Sequence, residues 1–131
     1  MSRPKTPVIA VVDDDEAVRE AIENLVRSLG LAVATFASAE AFLASTIRDG
    51  VSCLITDVQM PGMSGIDLQR HLATTGDGVP VILITAFPRD DARARAEAEG
   101  AYGYLAKPFD GRRLIECIDR ALAANGQRVV F

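Results

Sequence analysis

"CLITDVQMPGMSG", residues 53–65, runs Cys53, Leu54, Ile55 and Thr56 straight into Asp57, and a loop with one proline and two glycines follows. A carboxylate at the end of an apolar strand is costly to desolvate unless a charged or hydrogen-bonding group meets it there. Beyond the loop, Ile66, Leu68 and Leu72 fall at helical spacing, so the stretch is one strand–loop–helix unit. The same unit recurs on both sides. Val8–Val12 is continuously apolar and β-branched, as a strand buried on both faces should be. From Val18 onward a helical stripe carries Ala21, Ile22, Leu25, Val26 and Leu29, and Gly30 closes it. Leu31–Phe36 is a second strand, and Ser38 caps a short helix with Phe42 and Leu43. Val51–Thr56 is the third strand and Val79–Thr85 the fourth. "DDARARAEAEG" is an alanine-rich charged helix, and Ala101–Ala106 is the fifth strand. A last helix aligns Leu114, Ile115, Ile118, Ala121 and Leu122, ending near Asn125 and Gly126. Five strands alternating with five helices predict an α/β fold, a doubly wound parallel sheet covered on both faces.

At 131 residues and 49% hydrophobic, the chain is expected to form one domain: residues 1–6 a flexible tail, 7–125 folded, 126–131 a tail or linker start. The net charge of −4 argues against a nucleic-acid or anionic-membrane surface. The longest run free of Asp, Glu, Lys and Arg, Ser28–Ala39, is too short to span a bilayer. The apolar run Val8–Val12 after Arg3 and Lys5 is too short for the core of a secretion signal and ends in three aspartates. Cys53 and Cys117 lack metal-ligand or CxxC spacing and read as reduced, half-buried fillers of a cytoplasmic protein, without a disulfide.

Open parallel sheets hold ligands outside the carboxyl ends of their strands. There the first strand delivers Asp13, Asp14 and Asp15, the third Asp57, the fourth Thr85 and the fifth Lys107. Polar chemistry thus converges on one rim from four separate places in the chain. Carboxylates sharing a cleft repel and need a cation or protons. Hard oxygen ligands with room for water suit Mg²⁺. An ammonium and a hydroxyl opposite complete a pocket for a phosphoryl dianion, and an aspartate can itself be the nucleophile that forms an acyl phosphate.

"VVDDDEAVREAI", "LITDVQMPGMSG", "ILITAF" and "GYLAKPF" together resemble the receiver domain of two-component response regulators, in order and over nearly the whole chain. The resemblance implies a flavodoxin-like strand order of 2-1-3-4-5. It implies Asp57 as phosphoacceptor, Asp13 and Asp14 as the acidic pair that organises Mg²⁺, and the backbone carbonyl of Gln59 as a further metal ligand. Thr85 resembles the hydroxyl that follows the phosphoryl group, Lys107 the phosphate-pairing lysine, and Tyr104 the aromatic switch. Pro108 resembles the proline preceded by a cis peptide. On this reading a phosphoryl group draws Thr85 inward and the vacated space admits the Tyr104 ring. The implied partners are a sensor histidine kinase and a second copy, in a homodimer through the fourth helix, fifth strand and fifth helix. No direct nucleic-acid binding by this domain and no membrane contact are expected. The protein would be a phosphoacceptor that assists its own phosphorylation and dephosphorylation rather than an enzyme. "ASAEAFL" leans toward the transcriptional subgroup.

Other readings compete. A phosphohydrolase of the haloacid dehalogenase type would use Asp13 as nucleophile with Asp15 as its partner, leaving Asp57 idle. A flavodoxin-like binding module shares the fold, but three aspartates after the first strand would repel a flavin phosphate. Asp15 and Glu16 are assigned to capping the first helix. His71 reads as a surface residue, Met60 and Met63 as loop packing, and Asp91 with Arg95 as a helix-face pair. Phe87-Pro88 and the alanine-, arginine- and glutamate-rich fourth helix depart from the usual pattern, beside the surface that receivers use for output.

Overall fold

The computed structural model describes residues 6–76 and 78–124. The expected termini, residues 1–6 and 126–131, and the end of the last helix near Asn125 therefore lie almost wholly outside the described residues. The elements are β1 (Val8–Val12), α1 (Glu16–Ser28), β2 (Ala32–Phe36), α2 (Ala39–Leu43), β3 (Cys53–Asp57), α3 (Gly65–Thr75), β4 (Val81–Thr85), α4 (Asp90–Ala98), β5 (Gly103–Ala106) and α5 (Gly111–Ala124). The five strands are parallel, in the order β2-β1-β3-β4-β5, as the resemblance implied.

Alternation along the strands divides the core in two. Ile9, Val11, Cys53, Ile55, Ile82, Ile84 and Leu105 point to one face, where Ile22 and Val26 of α1 and Leu114, Ile118 and Leu122 of α5 cover them. Ala10, Val12, Leu54, Val81, Leu83 and Tyr104 point to the other, against Ala39 and Phe42 of α2, Leu68 and Leu72 of α3, and Ala96 of α4. Leu114, Ile118 and Leu122 are fully buried. At about 1.5–3 kcal/mol for each such side chain, this stripe alone fixes α5 to the sheet. α4 has no such stripe, since Ala96 is its one buried residue.

The strands start later than periodicity suggests. A short 3₁₀ turn, Arg48–Gly50, precedes β3, so Val51 is a connector and pairing begins at Cys53. Pro80, which has no N–H to donate, delays β4 to Val81. α1 begins at the expected cap: Asp15 accepts the N–H groups of Ala17 and Val18. Gly30, at φ +79°, follows the end of that helix, a conformation glycine adopts without penalty. Ser38 caps α2 as read. α3 starts at a capping box, Ser64 with Asp67, the S-x-x-D pattern ahead of an apolar run. Asp91 does not hold Arg95. Arg89, just ahead of the helix, takes its carboxylate at 2.9 Å. Cys53 and Cys117 are both free, and are buried rather than half-buried.

Candidate functional site

Parallel pairing sets the ends of β1, β3, β4 and β5 side by side and so gathers the polar set. Asp57, last in β3, sits in register with Ile84, and Val58 N–H donates to the Ile84 carbonyl. Asp13 follows β1 directly, its N–H bonded to the Phe36 carbonyl, and the Lys107 N–H bonds the Thr85 carbonyl at 2.7 Å. The chain turns at a cis Lys107–Pro108 peptide.

Asp13 and Asp57 are buried, at 1% and 5% exposure, while Asp14 is exposed. Carboxylate oxygens of all three lie within 4.8 Å of one another. The Lys107 ammonium enters between two of them, 3.0 Å from Asp13 Oδ2 and 3.3 Å from Asp57 Oδ1. Apart from this ammonium, no donor reaches either of those buried oxygens. Three acids facing one cation leave negative charge and lone pairs unmatched, and oxygen donors of this kind fit a hard divalent cation.

Burial pushes the Asp57 carboxyl above its usual range, the Asp13 charge adds to this, and Lys107 opposes it. For Lys107, burial favours loss of the proton, but the hydrogen bond and charge of Asp13, with the charge of Asp57, outweigh it and hold the ammonium more firmly than usual. Asp15 is spent elsewhere. Its carboxylate caps α1, and its N–H donates to Asp13 Oδ1 at 2.8 Å. Arg19, unnoticed in the sequence, fixes Asp13 from behind by donating to its carbonyl at 2.7 Å. Nothing in the spacing of Arg19 marks it, because the contact is to backbone.

Thr85 does not turn toward Asp57. Its hydroxyl donates to Gln59 Oε1 at 2.8 Å and accepts the Phe87 N–H at 3.0 Å. Gln59 is thus tied into the site through its side chain, a role the sequence did not suggest. Tyr104 lies on the same side of the sheet, with its ring inside, at 3% exposure. The phenol oxygen accepts the Arg89 N–H at 3.3 Å, and the Arg93 guanidinium lies 5.1 Å from the ring centroid. The ring is thus held by a backbone donor and a cation–π contact.

The loop after Asp57 passes close to the strand it leaves. A Cβ at Gly65 would be driven into the Asp57 carbonyl, so only glycine lets α3 start there. Met60 is buried and Met63 packs against the α2–α4 face of the core, as loop packing. His71 is half-exposed on α3, where its carbonyl accepts the Thr74 hydroxyl.

The model of the response regulator receiver domain family matches residues 9–119. The chain belongs to the response regulator receiver family. The response regulator protein TodT of Pseudomonas putida is 42% identical over 124 residues, covering 95% of this chain and 55% of TodT. The transcriptional regulatory protein FixJ of Azorhizobium caulinodans is 36% identical over 125 residues, covering 95% of this chain and 59% of FixJ. A response regulator receiver protein from Burkholderia phymatum, known from its crystal structure, aligns with a TM-score of 0.77 at 42% identity, covering 95% of this chain and 99% of that one. The chain spans about half the length of the curated relatives it matches. Receivers are signalling proteins of two-component systems, partners of histidine kinases rather than classical enzymes. Membership displaces both rivals, and the capping duty of Asp15 removes the second acid of the hydrolase reading. Among the described residues no helix is long and apolar enough to cross a membrane.

Proposed function

We propose that this receiver accepts one phosphoryl group on Asp57, in a Mg²⁺-dependent transfer from the phosphohistidine of a sensor kinase. The observation that carries the reading is the buried Asp57–Lys107–Asp13 arrangement, with Asp14 beside it. An Asp57 oxygen attacks phosphorus, the phosphorus–nitrogen bond to the kinase imidazole breaks, and the imidazole leaves with its electron pair and takes up a proton. Mg²⁺, when bound by Asp13, Asp14, Asp57 and the Gln59 carbonyl, neutralises charge on the transferring oxygens. Lys107 supplies the cation on the other side, leaving the two carboxylates for the phosphoryl oxygens. Thr85 gives up Gln59 and donates to the new group. Hydrolysis by water at the same site would reset the domain.

Ala17, Val18, Ala21, Pro108 and Phe109 line an apolar depression that runs up to Lys107. A kinase helix presenting its phosphohistidine to Asp57 would rest there. Output would pass through the face of α4, β5 and α5, where Arg93, Arg113 and Arg120 alternate with Glu97 and Glu116. Mixed charge of this kind suits a symmetric dimer with reciprocal pairs, and control of transcription is the output that FixJ-like relatives suggest. The chain's acidic balance disfavours direct DNA contact by this domain, and the two free cysteines suit a reducing, cytoplasmic setting.

Beryllofluoride, a phosphoryl mimic, tests the assignment. With Mg²⁺ the chain should bind one equivalent, and Asp57→Ala should abolish binding. Retained binding in that variant would remove Asp57 from the acceptor role.

A further inference from the structure

The loop 58–64 leaves Asp57, carries Gln59, whose carbonyl is a metal ligand on the proposed function, and returns into α3. Backbone contacts fix its ends: Val58 N–H bonds the Ile84 carbonyl, and Gly65 N–H bonds the Val58 carbonyl. Its middle is gripped by two side chains from outside. Thr85 holds Gln59 from the β4 side, a grip that on the proposed function would be given up when Thr85 turns to the phosphoryl group. The other grip comes from α2: Glu40 Oε2 accepts the Met63 N–H at 2.9 Å, across 23 residues of chain. The carboxylate lies over Gly62, which has φ +77°, and a Cβ there would approach Glu40 Oε2 to 2.6 Å. The turn thus has the form that admits this carboxylate. Its base is firm, because α2 is capped by Ser38 and anchored by buried Ala39 and Phe42. The Met63 N–H, with Glu40's own backbone N–H, keeps the exposed carboxyl below its usual range.

We propose that Glu40 is a positioning residue for phosphoryl transfer, locking the Gly62–Met63 turn so that Gln59 stays in place to serve the cation while Thr85 is engaged elsewhere. The proposal rests on the receiver reading. Glu40 touches neither the acids nor the phosphoryl group, so its effect should fall on metal use rather than on stoichiometry.

The Mg²⁺ concentration for half-maximal beryllofluoride binding is the readout, with hydrogen exchange of the Met63 amide in metal-free protein beside it. Glu40→Ala should speed exchange at Met63 and raise the Mg²⁺ midpoint about three- to tenfold, the scale of one lost hydrogen bond. Binding should still saturate at one equivalent. Glu40→Gln, which keeps a side-chain carbonyl to accept the Met63 N–H, should restore most of the midpoint. Gly62→Ala should shift it in the same direction as Glu40→Ala. An unchanged midpoint in Glu40→Ala, with or without a lower melting temperature, would overturn the proposal while the receiver reading stands. Failure of the unsubstituted chain to bind would overturn both.

Discussion

Asp57 is held in a state that favours its proton. The folded chain binds that proton more tightly than the unfolded chain, because burial and Asp13 both disfavour the carboxylate. Stability therefore falls as pH rises from the ordinary carboxylate range through the raised folded value. Asp57→Asn removes this ionisation. In chelator-treated protein at neutral pH the variant should be more stable, by on the order of 1 kcal/mol, and the difference should close as the pH is lowered through the Asp57 titration. Thermal melts of both proteins between pH 4 and about 7, the interval below which an ordinary aspartate begins to take up protons, check it. A gap that stays constant with pH would mean that the like charges are already balanced by Lys107. At this scale the sequence revealed what strand ends deliver and missed what reaches them sideways. Asp13, Asp57, Thr85 and Lys107 could be read because each closes an apolar run. Glu40, Arg19 and the Gln59 side chain could not, because their contacts cross between elements and Glu40 and Arg19 bind backbone groups that carry no residue signature.

α4 is the element in which local pattern and tertiary anchoring diverge most. Its alanines make a helix easy to form, yet only Ala96 is buried. Its carboxyl end is tied to α3, where Gln69 Nε2 reaches the carbonyls of Ala96 and Glu99 at 3.4 and 3.5 Å. Arg70 pairs with Glu99 at 3.1 Å, but both side chains are substantially exposed, which limits that pair to about 1 kcal/mol at most. The amino end, by contrast, has no side-chain cap. Amides of α4 should thus exchange well before those of α5, with loss beginning near Asp90 and Asp91, and hydrogen exchange resolved by element measures it. Equal protection of the two helices would contradict a weakly held α4. The charged fourth helix was legible in the sequence. Gln69 was not, because a polar residue beside Leu68 and Leu72 looks solvated until the α4 carbonyls are seen above it. Strand ends shifted by one or two residues for a similar reason: periodicity marks burial, and Val51 and Val79 lie before the ladder that begins at Cys53 and Val81.

For the whole molecule, one parallel sheet converts four distant segments into a single acidic rim, and its two covered faces do different work. The α1–α5 face is anchored by long buried aliphatic side chains, which keeps Lys107 and Asp13 in place. The α2–α3–α4 face carries Tyr104, the Thr85–Gln59 contact lies at its rim, and α4 is its loosest helix. On the proposed function, the parts that phosphorylation would change are Thr85, the Gln59 loop and the setting of α4. Strand order came from resemblance rather than from periodicity, since alternating strands and helices fit several doubly wound orders equally well. All of this depends on Asp57 being the group that reacts. The most direct measurement is the intact mass of the chain after acetyl phosphate treatment, with Mg²⁺ and with chelator, followed by peptide mapping. One added phosphoryl group on Asp57, only with Mg²⁺ and absent from Asp57→Ala, is the expected result; a phosphoryl group on Asp13, or one that persists in Asp57→Ala, would contradict it.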